Sequence, residues 1–329
     1  MTVKSQLEVY RIILPSKTTY GELIQGKFYD ENSPKQTDII KFKKLYKSFL
    51  EKLVKNNVWV YKEKKKGLTV FLEKGEQINQ IITSHPNQYI IEGYLDGGRY
   101  DMIRKMAAMS DTTQRKTISS TDIVAARYYF HLYIPFNKSI GLLFLEKKND
   151  DQIRDAVKAY FSELFRWKNK CQIQAYFPKK MIEKFRKSAV VDTLYSIDYI
   201  SPEVGLTESE ELEAQTYEVL VQIKKIGNAV PYDNVDQLVE ATKDLNVSFL
   251  GQTLNFFKFK TRKGIMKNTE TKKQSTFDFE KGVFIHPYIE LDEELLEKGI
   301  LNKEKMFKFC TSLMKEIYND VYNLNINEK

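Results

Sequence analysis

The chain has 329 residues, 42% of them hydrophobic and 13% aromatic, which is material for one large core or two smaller ones and excludes a disordered or fibrous protein. Its 52 Lys and Arg against 44 Asp and Glu leave a net charge of +8, a balance found in proteins that meet nucleic acid or anionic surfaces. Cys171 and Cys310, far apart and without CxxC or Cys/His spacing, exclude a disulfide framework and a structural zinc site and fit a reducing cytoplasm.

The opening MTVKSQLEVYRIILP lacks the basic-then-apolar order of a signal peptide, and no stretch approaches the ~20 apolar residues of a membrane span. A cytoplasmic protein is expected. Leu7 to Leu14 alternates loosely and stops at Pro15, which has no backbone donor, so a strand should open the fold. A Gly- and Pro-punctuated loop follows. Phe42, Leu45, Tyr46, Phe49, Leu50 and Leu53 then recur at helical spacing, predicting an amphipathic helix with Thr37 as N-cap. Its outer face would carry Lys41, Lys43, Lys44, Lys47, Lys52 and Lys55. Val58 to Tyr61 and Leu68 to Leu72 read as a hairpin around Lys62, Glu63, Lys64, Lys65, Lys66 and Gly67.

Tyr89 to Leu95 and Arg99 to Met106 flank Asp96-Gly97-Gly98, a dipeptide signal for a tight turn at positive φ, so a second hairpin is predicted there, with 110–122 as a loop. The most continuous apolar signal follows. Tyr128 to Ile134 and Ile140 to Leu145 are apolar on both faces, predicting paired strands covered on both sides and joined by a turn over Pro135 to Ser139. The next helix should be capped by Asn149, with Gln152 three residues on, and should bury Ile153, Val157, Tyr160, Phe161 and Leu164.

Strand (Gln172 to Phe177), helix (Lys179 to Lys187) and strand (Val190 to Ile200) continue the pattern. The acidic run 202–214, with Glu203, Glu208, Glu210, Glu211 and Glu213, reads as a linker. Tyr217 to Ile226 predicts a strand, Val235 to Thr242 a helix and Leu254 to Lys260 a strand; Lys263 to Gln274 is expected to be a hairpin loop returning through Ser275 to Phe279. Met306, Phe309, Cys310, Leu313, Ile317 and Val321 mark a last helix capped by Asn302. The predicted class is α+β: a mixed, largely antiparallel sheet with flanking amphipathic helices in two subdomains. These are an N-terminal α+β domain over 1–201 with the hairpin and helix of 126–167 at its centre, and a C-terminal α+β domain over 215–329, joined by 202–214.

Gly21-Glu22-Leu23-Ile24-Gln25-Gly26-Lys27 has the spacing of a phosphate-binding loop, but Phe28 stands where a Ser or Thr should hold magnesium, and a turn is the simpler reading. A magnesium nuclease of the restriction type needs an upstream acid and then Glu-x-Lys at a strand, so that carboxylates hold the metal while lysine orients water. Glu63 with Lys65, and Glu146 with Lys148, have that shape, with Asp38 and Asp122 as upstream acids; in so lysine-rich a chain each also reads as a solvated strand end. Of the three histidines, His85 and His286 precede proline, and His131 is expected to be a buried, hydrogen-bonded residue of the central strand. No G-x-S-x-G or H-E-x-x-H occurs, and neither a cofactor nor a metal is implied.

Charge is the most informative feature outside the core. Residues 41–66 hold ten lysines against Glu51 and Glu63, as large an imbalance as the +8 of the whole chain. Lys258, Lys260, Arg262, Lys263, Lys267, Lys272 and Lys273 follow Phe256, Phe257 and Phe259, the aromatic-with-cation pattern that suits single strands and backbone phosphates, or an edge strand shielded by lysine. The candidate nucleic-acid contacts are therefore Lys41, Lys44, Lys47, Lys52, Lys55, Lys64, Lys65 and Lys66, with Lys258, Lys260, Arg262 and Lys263.

The succession IGLLFLEKKND, QIQAYFP, KSAVVDTLYSIDYI, YEVLVQIKKIG and STFDFEKG, over roughly residues 125 to 285, resembles a class of uncharacterised proteins encoded in bacterial antiphage-defence loci and mobile elements. The resemblance implies a cytoplasmic bacterial protein that senses foreign nucleic acid or works beside an effector. Sequence-nonspecific nucleic-acid binding is the expected function. The alternatives are a magnesium-dependent nuclease and a protein-interaction or inhibitor module of a defence complex, with a partner from the same locus or a homo-oligomer.

Overall fold

The structure is a computed structural model that describes residues 5–15, 18–30, 33–53, 58–101, 103–108, 111–120, 122–148, 153–166, 171–178, 188–200, 217–224, 230–231, 237, 240–249, 252–269, 274–278, 288–297 and 299–322. The first strands and helices are β1 (Gln6–Ile13), α1 (Tyr20–Phe28), α2 (Asp38–Glu51), β2 (Trp59–Tyr61), β3 (Lys66–Thr69), α3 (Ile78–Ile81), β4 (Ile82–His85) and β5 (Ile90–Arg99). Next come β6 (Arg104–Ala108), β7 (Asp111–Ile118), β8 (Val124–Tyr133), β9 (Ile140–Lys147), α4 (Arg154–Leu164) and β10 (Gln172–Tyr176). The remainder is β11 (Ala189–Ile200), β12 (Tyr217–Lys224), β13 (Val230–Pro231), β14 (Asn246–Phe249), β15 (Gln252–Asn255), β16 (Thr261–Asn268), β17 (Gln274–Asp278), β18 (Tyr288–Glu290), the short β19 (Leu296–Glu297) and β20 (Ile300–Leu301), and α5 (Lys303–Tyr322). Among the described residues every strand pairing is antiparallel, and the class is α+β.

Two compact units form: Met1–Tyr176 with Pro287–Lys329, and Phe177–His286. The division differs from the predicted one. β11 and β12, which flank 202–214, pair with each other from Thr193 with Lys224 to Ile200 with Tyr217, so the acidic run connects neighbours in one sheet. Residues 202–214 themselves lie outside the described residues. The last helix belongs to the first unit, which composition along the chain could not reveal.

The first unit is built on a sheet ordered β10-β1-β9-β8-β5-β3-β2, with β18 on β1 and β4 on β5. β8 and β9 are its buried centre, as their unbroken apolar runs predict. Successive side chains point to opposite faces. Phe130 therefore meets Phe49 of α2, ring centroids 5.6 Å apart, while its neighbour His131 meets Phe307 of α5 at 5.7 Å. The α2 side is the large core, where Phe42, Leu45, Phe49 and Leu53 are fully buried, along with Val157, Tyr160 and Phe161 of α4. α4 begins with Ile153 at its N-cap, which makes no side-chain cap bond; Asn149 and Gln152 lie outside the described residues.

Asp96-Gly97-Gly98 makes no hairpin. It is the interior of β5, where Gly97 pairs with Ala126 and Gly98 with Ala125 of β8. A Cβ on Gly98 would stand 1.8 Å from the Val124 carbonyl oxygen, so glycine here serves close approach of backbones rather than a turn. The predicted loop at 110–122 contains β7, which pairs with β6.

The segment predicted as a loop after β1 is the helix α1. Thr19 and Glu22 close a capping box: Glu22 N donates to Thr19 Oγ1 at 3.3 Å and Thr19 N to Glu22 Oε2 at 2.8 Å. In the second unit, β15 ends at Asn255 and a 3-10 turn, Phe256–Lys258, replaces the predicted strand. Lys263 to Asn268 lie in β16, paired with β17, rather than in a loop. The predicted helix 179–187 lies outside the described residues, as do 235, 236, 238 and 239 of the predicted helix 235–242. Asn302 caps α5 as expected, its Oδ1 accepting from Lys305 N at 3.1 Å.

Candidate functional site

Folding sorts the lysines of 41–66 into structural and solvent-facing ones. Lys41 is 5% exposed, paired with Asp38 at 2.8 Å and set over the Phe136 ring, so it is not on the outer face. The reason is periodicity: it precedes Leu45 and Phe49 at helical intervals of four and borders the apolar stripe. Lys66 is buried against Asp155 at 3.5 Å. Lys52 pairs with Glu163, which also accepts from Trp59 Nε1 at 2.9 Å, and Lys65, at a left-handed turn residue, pairs with Asp101 at 2.5 Å. Lys55 lies outside the described residues. Lys43, Lys44, Lys47, Lys62 and Lys64 remain exposed, with no ion pair among the described residues.

The second basic cluster lies in the other unit. Lys258 and Lys260 are exposed and Arg262 and Lys263 half-buried on β16. Phe256 and Phe259 are buried against each other, centroids 6.3 Å apart, which makes them core rather than a stacking platform; the Phe257 side chain, Lys272 and Lys273 lie outside the described residues.

The residues that suggested other chemistry have local work. Lys27, the lysine of the phosphate-loop spacing, sits at the end of α1 and donates to the Leu164 and Glu163 carbonyls, capping α4; burial holds its ammonium below the usual lysine range. Glu146 is 4% exposed and accepts from Tyr129 N at 2.9 Å and Ser5 Oγ at 3.5 Å, with Lys148 Nζ also 3.5 Å away. Burial raises its pKa against these partners. Lys148 in turn donates to Arg127 O at 2.6 Å. Glu63 is exposed and accepts from Tyr61 Oη at 2.9 Å, Asp122 accepts from Ser119 N at 2.8 Å, and Asp38 holds Lys41. Neither Glu-x-Lys therefore gathers a second carboxylate, and among the described residues no three His, Cys, Asp or Glu side chains converge on a metal position.

A site that sequence reasoning missed lies on the other face of the sheet. Glu92 on β5 and His131 on β8 are register partners, 3% and 0% exposed. Glu92 Oε1 is 3.5 Å from His85 Nε2, and Oε2 faces the Tyr129 hydroxyl without an ordinary hydrogen bond. Burial raises this carboxyl to about 7. His131 is buried as expected but not hydrogen-bonded: neither ring nitrogen has a partner among the described residues, and burial lowers the imidazole to about 3. Its surroundings are the Phe144 and Phe307 rings. Cys310, buried near Glu92, has a thiol pushed well above its usual range and is no nucleophile at neutral pH. Outside this group opens a cleft of about 300 Å³ between β4, β5 and α5.

Comparison with protein-family models, characterised proteins and solved structures gives no match.

Proposed function

We propose that the protein binds nucleic acid without sequence preference through the solvent face of α2, as a cytoplasmic component of a bacterial antiphage-defence or mobile-element system. The observation that carries the binding is the set Lys43, Lys44 and Lys47: exposed on one helical face at intervals of three and four, and without ion pairs among the described residues. Side chains so spaced lie about 5–6 Å apart, which lets one run of backbone phosphates meet them together. Lys64, at the tip of the β2–β3 hairpin in the same unit, extends the positive charge. The defence setting rests on the sequence resemblance alone.

A labelled single-stranded oligonucleotide titrated with the protein tests it. Binding should weaken as salt rises and be lost in the triple variant Lys43→Glu, Lys44→Glu, Lys47→Glu; binding indifferent to salt and to the variant would refute it. A second reading has one observation in its favour. Ile39 and Ile40 are 43% and 46% exposed beside these lysines, an apolar patch that suits an acidic protein partner. Co-purification of a protein and no nucleic acid, abolished by Ile39→Ser with Ile40→Ser, would select it.

A further inference from the structure

The cleft over Glu92 has a floor, a wall and a rim, and each narrows what it can hold. The floor is a buried carboxyl whose contacts are a 3.5 Å approach from His85 and a Tyr129 hydroxyl out of ordinary geometry, so it is short of donors. Buried carboxylates normally accept several hydrogen bonds, and one this poorly served calls for a donor from elsewhere. The wall is aromatic: His85 and Phe307 stack with centroids 4.4 Å apart at 29°, offering a flat, apolar flank. The rim is basic. Lys303 and Lys308 line it, Lys303 being held by Gln80 O at 2.5 Å and Thr83 Oγ1 at 3.0 Å, with Glu304 as its acid. At about 300 Å³ the cleft is at the small end of ligand sites, room for one ring system rather than an extended molecule.

We infer that the cleft between β4, β5 and α5 is a binding site for a flat nitrogen heterocycle whose ring-edge N–H donates to Glu92 Oε1, the chemistry of a nucleobase that carries a ring N–H. The ring lies along Phe307 and His85, and a phosphate attached to it faces Lys308. Oε2 is sealed inside the protein, which leaves Oε1 for the ligand, and guanosine monophosphate, whose N1–H stands at the ring edge, is the probe of choice. The base can come from a free nucleotide or from a strand. The site stands on Glu92 and not on the lysines of α2, so it and the binding face fail separately.

Burial is what raises the Glu92 carboxyl, against Lys303 on α5 and the Tyr129 hydroxyl on β8; the other titratable groups around it are His85 on β4, His131 on β8, Cys310 on α5, Tyr46 on α2 and Tyr94 on β5. A ligand whose N–H donates to Oε1 selects the ionised carboxyl. With that group at about 7, affinity should rise about tenfold from pH 6 to pH 8.

Calorimetric titration of the full chain with the four nucleoside monophosphates tests the inference. Guanosine monophosphate should bind with a Kd below about 1 mM. Glu92→Gln, which removes the negative charge that the ring N–H meets, should weaken it about tenfold or more. Lys308→Glu, an exposed change that leaves the fold intact, should weaken guanosine monophosphate but not guanosine, and the Lys43, Lys44, Lys47 triple variant should bind it normally. Displacement of bound guanosine monophosphate by a guanine-containing oligonucleotide, and not by an abasic one, would assign the base to a strand; no displacement would assign it to a free nucleotide. Absence of saturable binding by all four, or binding unchanged in both Glu92→Gln and Lys308→Glu, overturns the inference.

Discussion

Glu92 and His131 stand directly opposite each other on β5 and β8, and neither satisfies the other. The carboxyl turns to His85 and Tyr129; the imidazole is left among phenylalanine rings. Two polar groups buried at one rung of a central ladder without mutual hydrogen bonds reduce stability unless something else offsets them.

Their pKa values give opposite pH dependences. Glu92 is raised from 4.5 to about 7, so the folded state holds its proton more tightly than the unfolded chain does, and stability is lost as pH rises through that interval. His131 is lowered from 6.5 to about 3, so the unfolded chain takes the proton first, and stability is lost as pH falls from 6.5 toward 3. His85, also lowered by burial, acts in the same sense as His131. Glu92→Gln should therefore gain on the wild type by about 3 kcal/mol between pH 5 and pH 8, at about 1.4 kcal/mol per pKa unit. His131→Phe should flatten the loss below pH 6. Urea denaturation at several pH values reads both, and curves parallel to wild type would contradict them.

Lys41 and Lys44 lie on one helix but differ in role. Lys41→Ala leaves Asp38 without its partner and opens space over Phe136, and should cost about 1–3 kcal/mol. Lys44→Ala should stay within about 0.5 kcal/mol, being exposed and unpaired among the described residues. Thermal unfolding distinguishes them, and equal effects would show that the assignment of faces on α2 is wrong.

The capping box at α1 should be measurable by itself. Thr19→Ala removes the acceptor for Glu22 N and should cost about 1 kcal/mol, while Thr19→Ser should be near neutral. A larger loss for serine than for alanine in denaturant unfolding would speak against the cap.

Gly98→Ala has nowhere to place its methyl group, since the Val124 carbonyl oxygen cannot move without parting β5 from β8. A loss of more than about 3 kcal/mol, or failure to fold, is expected. Gly75→Ala, where a Cβ meets nothing within 4 Å although φ is +89°, should cost less, about 1 kcal/mol.

Where one residue pattern implied one structure, the sequence was legible. The double-faced apolar runs of β8 and β9 and the stripe of α2 gave their elements because burial on both faces, or on one, leaves few other solutions. Asp96-Gly97-Gly98 misled because glycine serves close strand approach as well as turns. The Thr19 and Glu22 pair was a readable helix start, masked by a phosphate-loop spacing over the same residues. The basic face was legible in its charge but not in its membership, since Lys41 and Lys66 turn inward. The Glu92 cleft was illegible: β4, β5, β8 and α5 bring His85, Glu92, His131 and Lys303 together only through the ladder and the return of the chain to the first unit.

The salt dependence of binding to a labelled single strand tests the function of α2 most directly. With three or four lysines on phosphates, the logarithm of affinity should fall against the logarithm of salt with a slope of about −2 to −3, flattening by about 0.7 for each of Lys43, Lys44 and Lys47 removed. A slope near zero, or one that the triple variant leaves unchanged, would contradict nucleic-acid binding by this face.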